Sequence, residues 1–378
     1  MINKKIECKI NFDTCINTEP TFHNSEICDD CEDGDNYDPK SDYKTIIENL
    51  NNKKIISVGS DFSGVGAFDV ALKRIEKDEN VKIETVFSAD FDKYARETYI
   101  ANHGEPKYFP WDVYEREIPA EPLDVYMTSP PCQTFSRLGK NEGKDDPRGI
   151  LFFNSLEFIR KNNPRFFIFE NVKGLLTDND GKTFSEWVNY LGGKSINGLP
   201  LIFPFDGSVQ YHLYFKILNS RDFNIPQNRE RIFLVGIRDD EDNNFQFPKE
   251  EYLTRKLNDL LEENPDKKYW LSKKFIKMLR EHKIEQKEIG NGFGFVNGLG
   301  RDYWNSITTK CGQRGTDMFL DYGGDKIRRL TMRECFRFQD FPDNFKLIGS
   351  EAQQVKQAGN SISVGVLERV LRKLPLWK

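Results

Sequence analysis

The sequence predicts an α/β fold in which a doubly wound, mostly parallel sheet is joined to a smaller, irregular second domain. Short apolar segments alternate with amphipathic ones from about residue 55 to residue 238, which is typical of strands and crossover helices in a parallel sheet. Polar motifs follow directly after several of the apolar segments. Because such sheets bind ligands at the carboxyl ends of their strands, we expect these motifs to gather at one edge.

The predicted elements follow one another in a regular order. A strand, a glycine turn and an amphipathic helix occupy 54–75, and a strand ending in acidic residues is followed by a glycine-closed helix over 82–104. The other predicted elements are a strand at 123–132, a helix at 149–164, and strands at 165–172, 211–223 and 231–238. A turn and an amphipathic helix at 353–374 are expected to dock back on the sheet.

Chain length and composition divide the protein into four segments. A chain of 378 residues is too long for one ordinary core. The segments are an acidic extension with four cysteines at 1–54, the sheet domain at 55–238, a region rich in glycine and aromatic residues at 239–328, and a return segment at 329–378 that ends in the docking helix.

The charge distribution leaves nucleic acid open as a partner. The net charge is −5, and the extension alone contributes −5, because 1–54 holds seven Lys against twelve Asp and Glu. Residues 301–337 hold eight Lys and Arg against five Asp and Glu. A locally basic surface is what phosphate contact requires. The sequence contains neither a membrane-length apolar run nor a secretory signal, so we expect a cytoplasmic protein.

Two motifs after the first two predicted strands are suited to a nucleoside ligand. Gly64 and Gly66 allow a tight turn beside a helix N-terminus, or serve the fold alone. Phe68 occupies the position of a third glycine, which disfavours a dinucleotide site. Asp90 is placed to accept hydrogen bonds from ribose hydroxyls, and Phe91 to lie against a purine; the alternative is that Asp90 or Asp92 caps the next helix.

Three further motifs carry groups that can react. Cys132 follows two prolines at the end of a strand, where it is either a reactive thiolate or a small buried residue. Glu170 follows an apolar strand, where burial raises a carboxyl pKa and lets the group deliver a proton; the alternative is a helix cap. Arg229 and Arg231 share one face of an extended run and either contact a base or phosphate or form surface ion pairs.

Taken together, the ordered motifs resemble the DNA (cytosine-5) methyltransferases of bacterial restriction–modification systems over about 55–378. The motifs that carry the resemblance are FSGVG (62–66), ADFD (89–92), WDV (111–113), SPPCQ (129–133), RGILFF (148–153), FENV (169–172), PQNRER (226–231), RLTMRECFRFQDFPDNF (329–345) and QAGNSISVGVL (357–367). This resemblance implies a Rossmann-like methyltransferase domain, with 239–328 as the target-recognition domain and 329–378 completing the catalytic domain.

The resemblance also implies roles for individual residues. Cys132 would be the nucleophile, Glu170 and Arg231 would hold the cytosine, and Arg229 would support them. The residues implied to contact S-adenosylmethionine are Phe62, Gly64 and Gly66 around the cofactor, Asp90 at its ribose, Phe91, Asp112 and Val113 at its adenine, and Asn360 and Ser361 closing the pocket. One position departs from the family pattern. The acid that usually stands two residues before the motif phenylalanine is replaced by Ser60, and Asp61 follows it.

The activity so implied is methyl transfer from S-adenosylmethionine to carbon 5 of a cytosine flipped out of a short double-stranded DNA site. The enzyme would act as a monomer on DNA and protect host DNA beside a separately acting restriction endonuclease. Gly290 to Gly300 is a candidate loop for the gap left by the base, with Phe293 or Phe295 filling it. Two alternatives are a transfer-RNA methyltransferase of the same family and a DNA-binding regulator without catalysis.

We assign no metal to the protein, although the N-terminal cysteines leave zinc as an alternative. Cys28 and Cys31 form one C-x-x-C pair, and Cys8 and Cys15 are spaced too far apart to form a second. A flexible acidic leader with free thiols explains the same residues.

Overall fold

The computed structural model describes residues 53–131, 150–241, 243–290 and 294–377, all within one compact unit. Cys132, Phe293 and the cysteines of the N-terminal extension lie outside these ranges. Within them, no helix combines the length and apolar character needed to cross a bilayer.

The main sheet takes its strands from the first part of the chain. They are β1 (Lys54–Asp61), β2 (Val81–Ala89), β3 (Val125–Thr128), β4 (Phe166–Val172), β5 (Ser195–Ile196), β6 (Leu199–Pro200), β7 (Tyr211–Asn219) and, after the short β8 (Gln227–Asn228), β9 (Glu230–Arg238). The helices that connect them are α1 (Ala67–Asp78), α2 (Lys93–His103), α3 (Ile150–Asn162) and α4 (Lys182–Leu191).

The strand order confirms the doubly wound, mostly parallel sheet. Among the described residues the order is β2-β1-β3-β4-β9-β7-β5-β6, and the first four strands are parallel. β9 is antiparallel to both β4 and β7, which the strand pattern of the sequence did not specify. The reason is the connection 220–229, which is too short for the crossover that a parallel pair requires.

Hydrophobic side chains cover both faces of this sheet. Val125 and Met127 on β3 face a cluster that includes α1, whereas Tyr126 between them faces a cluster that includes α3 and α4. This alternation follows from the two-residue period of a strand. The motifs at the carboxyl ends of β1 to β4 are therefore held at one edge of a sheet that is packed on both sides.

The region after β9 is partly independent of the sheet. A helix, α5 (Lys273–Glu288), packs against a small sheet made of β10 (Val296–Asn297), β12 (Met318–Asp321) and β13 (Ile327–Arg328). The intervening β11 (Trp304–Asn305) instead pairs with β8. Phe295 is buried against Phe319 in this small core, so its ring is a packing element here rather than a free gap-filler.

The return segment forms three helices, α6 (Met332–Phe338), α7 (Glu351–Asn360) and α8 (Val364–Leu371). α8 packs on α1, as predicted for the docking helix. The turn expected before α8 is limited to 361–363, and the sequence analysis missed that 351–360 forms a further helix, which begins at the N-cap Ser350. At the start of α6, Glu334 forms a buried two-pronged ion pair with Arg328, at 2.8 Å for each pair of atoms.

Candidate active site

The turn after β1 has the backbone geometry that its glycines predict. Phe62, Gly64 and Gly66 have φ angles of 57°, 57° and 85°, all in the left-handed region. A Cβ on Gly66 would lie 2.4 Å from Nε2 of His103, so any side chain there requires His103 or the turn to move. The turn is also tied to the next strand, because the N–H of Gly64 donates to Oδ2 of Asp90 at 2.8 Å.

Asp90 orders the loop after β2. Its Oδ1 accepts the N–H of Asp92 at 2.8 Å while its Oδ2 accepts that of Gly64. Burial raises the pKa of Asp90, and these two N–H groups oppose the rise. The helix cap is Asp92, whose Oδ1 accepts the N–H groups of Tyr94 and Ala95. Asp92 therefore caps the helix, and Asp90 does not. Each oxygen of Asp90 accepts one hydrogen bond from the residues that the structure describes, which leaves a lone pair on each for a ligand.

The WDV loop lies beside the Asp90 loop. The guanidinium of Arg96 donates to the carbonyls of Asp90 at 3.1 Å, Phe109 at 2.7 Å and Pro110 at 2.9 Å. Asp112 is exposed, whereas Val113 is buried and its carbonyl accepts a hydrogen bond from Asn154 at 3.0 Å. Arg96 was not singled out from the sequence, since nothing in its local pattern shows which carbonyls it reaches.

Helix α7 joins the same side of the molecule. Lys356 forms an ion pair with Asp92 at 2.6 Å, and Nε2 of Gln357 donates to the carbonyl of Tyr94 at 2.9 Å. Asn360 is exposed at the end of this helix, and Ser361 after it is buried.

These groups fit a nucleoside-containing cofactor. A carboxylate with free lone pairs suits ribose hydroxyls, and the ring of Phe91, 73% exposed, suits a purine face. The glycine turn leaves room for close approach of a ligand to the backbone. Residues 62–66, 90–92 and 109–113 are linked by the hydrogen bonds of Asp90 and Arg96. S-adenosylmethionine has the ribose and the purine that this cleft would hold.

Glu170 lies within β4 and is buried. Its Oε1 is 3.2 Å from Nε of Arg231 on β9, but the geometry is not that of a hydrogen bond, and Oε1 has no hydrogen-bond partner among the described residues. Burial raises the pKa of Glu170, which Arg231 and then Arg229 counteract. A protonated carboxyl with an unused oxygen can donate to a ligand nitrogen.

Arg229 lies in the protein interior, which rules out the alternative of a surface ion pair. It is buried and donates to Oγ of Ser306, to the carbonyl of Ile307 and, with its other arm, to the carbonyls of Gly359 and Ser361. Burial lowers the pKa of Arg229 to about 9, and nearby Arg231 adds to the effect. Arg229 therefore joins the segment after β11 to the segment after α7, next to Glu170.

The loop that leads to Cys132 is anchored to the strand of Glu170. Nδ2 of Asn171, a buried side chain, donates to the carbonyl of Pro130 at 2.9 Å. Cys132 itself is outside the described residues, so its role as nucleophile stays a prediction. Pro130 lies two residues before it, and its position places the start of that loop beside Glu170.

Two buried glutamines add hydrogen bonds between the segments that Arg229 joins, and the sequence analysis did not identify them. Gln227 accepts the N–H of Ile307 at 2.8 Å and donates to the carbonyl of Phe338 at 2.6 Å. Gln339 donates to the carbonyl of Ala358 at 2.7 Å. Gln227 lies in the motif PQNRER and Gln339 in the motif RLTMRECFRFQDFPDNF, and this position is the signal that could have identified them.

The fold is a doubly wound α/β sheet that carries a glycine turn and the Asp90 loop after β1 and β2, and a buried carboxyl with two arginines at β4 and β9. A model of the C-5 cytosine-specific DNA methylase family matches residues 56–375. The chain therefore belongs to this family of enzymes.

Individual relatives agree with that assignment. The chain is 32% identical to the type II methyltransferase M1.ScrFI of Lactococcus lactis subsp. cremoris over 83% of this chain and 76% of the relative. It is 33% identical to M.HpaII of Haemophilus parainfluenzae over 83% and 87%. The S. pombe Dnmt2 structure has a TM-score of 0.60 at 20% identity over 84% of this chain and 97% of its own, which supports the fold.

Proposed function

We propose that this enzyme transfers a methyl group from S-adenosylmethionine to carbon 5 of a cytosine within a short, specific double-stranded DNA sequence. The relatives named as type II methyltransferases support a role in protecting host DNA in restriction–modification. The enzyme acts in the cytoplasm as a monomer on DNA, and a cognate endonuclease acts separately.

The observation that carries this proposal is the position of Glu170. Its carboxyl is buried, has an oxygen without a hydrogen bond among the described residues, and faces Arg231. The same strand anchors Pro130 through Asn171. The Glu170 carboxyl and Pro130, two residues before Cys132, thus lie at one edge of the sheet. This supports a site in which a pyrimidine ring lies between the carboxyl and the thiol.

The chemistry follows from these groups. When bound, S-adenosylmethionine supplies a methyl group on a positively charged sulfur. The Cys132 thiolate adds to carbon 6 of the cytosine while protonated Glu170 donates to N3, which makes carbon 5 nucleophilic. Carbon 5 takes the methyl group and then loses its proton to a base, and the bond from Cys132 to carbon 6 breaks. Because a stacked base cannot meet this geometry, the cytosine must first leave the duplex.

Transfer of a tritiated methyl group tests the proposal on DNA and on transfer RNA in parallel. We expect label in duplex DNA and none in RNA. Glu170→Gln keeps the volume and removes the acid, so its kcat should fall by roughly 100-fold or more. The control Glu186→Gln replaces an exposed glutamate on α4 and should match the parent. Label only in transfer RNA, or full activity of Glu170→Gln on DNA, would contradict the proposal.

A further inference from the structure

The acid at the end of β1 is fully engaged by other side chains of the protein. Asp61 is buried, its Oδ1 accepts from Nε of Arg116 at 2.8 Å, and its Oδ2 accepts from the hydroxyl of Tyr126 at 2.6 Å. The side chains of this ion pair are 0% and 2% exposed. Ser60, its neighbour on the opposite face of the strand, lies near Ser88. Asp61 is therefore engaged inside the protein and does not replace the acid missing at position 60.

The partner of Asp61 belongs to the loop that carries the proposed adenine contacts, Asp112 and Val113. Arg116 follows the WDV motif by three residues. Its second arm donates to Oδ1 of Asn154 at 3.0 Å, and Nδ2 of Asn154 donates to the carbonyl of Val113 at 3.0 Å. The guanidinium also lies over the ring of Phe158, 4.5 Å from its centre.

These contacts form one continuous chain from the end of β1 to the loop that carries Asp112 and Val113. We propose that Asp61 and Arg116 are positioning residues that hold this loop at a set distance from the glycine turn, and so set the width of the cofactor cleft. The inference rests on the proposed S-adenosylmethionine site. Both side chains are buried inside the protein, so their role is to position the loop rather than to contact the cofactor.

Energetics favour a role in geometry over a role in overall stability. A buried ion pair loses the hydration of both charges, so replacing it by apolar residues of similar size is often neutral for folding, whereas removing one partner is costly. An apolar pair, however, cannot keep the hydrogen bond from Arg116 to Asn154. The double replacement Asp61→Leu with Arg116→Met, made in a parent that carries Tyr126→Phe so that no buried hydroxyl loses its acceptor, therefore separates the two roles.

The test measures binding of S-adenosylhomocysteine by calorimetry, beside thermal unfolding and steady-state kinetics. The double variant should melt within about 3 °C of the parent and bind the ligand roughly tenfold more weakly. KM for the methyl donor should rise while kcat stays within about twofold, as expected for lost binding without lost chemistry. Asn154→Ala, which cuts the same chain at a partly buried residue, should weaken binding in the same direction.

Arg165→Met is the matched control, because Arg165 forms ion pairs with Asp124 and Glu241 next to the amino end of β4, the far end from the cleft. It should leave ligand affinity unchanged. Parent-like affinity in both the folded double variant and Asn154→Ala would overturn the inference alone. The inference would also be overturned if Arg165→Met lost as much ligand affinity as the double variant at the same loss of stability. A parent that does not bind S-adenosylhomocysteine would overturn the proposed cofactor together with this inference.

Discussion

Glu170 and Arg231 face each other across the antiparallel strands β4 and β9, with Oε1 of the carboxyl 3.2 Å from Nε of the guanidinium. The register pairs Val172 with Arg231 and Glu170 with Phe233, so both charged side chains lie on one face of the sheet at its ligand edge. The arginine holds the carboxyl in place and limits how far burial raises the pKa of Glu170. This balance leads to a prediction about pH.

Arg231→Met should shift the pH dependence of catalysis. The proposed mechanism uses protonated Glu170, so activity is lost as pH rises through the pKa of this group. Removing the positive charge of Arg231 raises that pKa further, and the alkaline limb of kcat against pH should move to higher pH while kcat itself falls. A pH–rate series on both proteins measures this. A limb that moves to lower pH would contradict the assignment of Glu170 as the acid.

Asp90 and Asp92 should differ in what their substitution affects. Asp90→Ala removes the proposed ribose contact, so the Kd for S-adenosylhomocysteine should rise by roughly 10- to 100-fold. Asp92→Ala removes the cap of α2 and the ion pair to Lys356, which should lower the free energy of unfolding by about 1 kcal/mol. Calorimetry and urea unfolding measure both quantities. Equal ligand affinity in the two variants would argue against Asp90 as a ligand contact.

Alanine variants of Gly66 and Gly104 distinguish the cost of a steric clash from the cost of a positive φ angle. Both have positive φ, but a Cβ on Gly66 would meet His103, whereas a Cβ on Gly104 meets nothing within 4 Å. Gly104→Ala should cost about 1 kcal/mol of stability. Gly66→Ala should cost more and also weaken cofactor binding, because the turn must move. Identical unfolding curves for the two variants would show that His103 gives way without cost.

Asp69 on α1 should make stability fall as pH rises. Burial raises its pKa from 3.8 to about 6, although Tyr99 donates to its Oδ1 at 2.6 Å. The folded state thus holds a proton that the unfolded state releases, and stability drops between pH 3.8 and about 6, by on the order of 3 kcal/mol.

The amide variant Asp69→Asn isolates this effect. The free energy of unfolding of Asp69→Asn should rise relative to that of the parent as pH increases from 4 to 6.5, as measured by urea unfolding at each pH. Asp206→Asn, at an exposed position, is the control and should follow the parent throughout. A constant difference between Asp69→Asn and the parent across this range would show that Asp69 keeps an ordinary pKa.

The sequence predicts the sheet well because strand and helix periods differ and alternate cleanly from β1 to β4. It does not predict the direction of β9, since periodicity carries no information on direction, although the short connection 220–229 is a usable signal. Asp90 and Asp92 both satisfy the pattern of a helix cap, and only the backbone shows that Asp92 fills it.

The hydrogen bonds of Gln227 and Arg229 cannot be predicted from local sequence patterns, for a different reason. Gln227 reaches Phe338, and Arg229 reaches Ser361. Such contacts join segments that are far apart in the sequence, and the residues around each glutamine or arginine do not predict its partner. Phe295, one of the two rings proposed to fill the gap left by the base, instead packs in a small core, because its partner Phe319 lies on a strand that the local sequence does not identify.

The central claim is that Cys132 bonds transiently to the target cytosine, and covalent trapping tests it most directly. Bisulfite sequencing of DNA from expressing cells first identifies the methylated position, and 5-fluorocytosine is then placed there in a duplex oligonucleotide. Fluorine cannot leave as the proton does, so the bond from sulfur to carbon 6 should persist. With the methyl donor present, we expect a denaturation-resistant complex that maps to Cys132, is absent in Cys132→Ser, and is retained in Cys311→Ser. Active enzyme that forms no such complex, or one joined through another residue, would contradict the account.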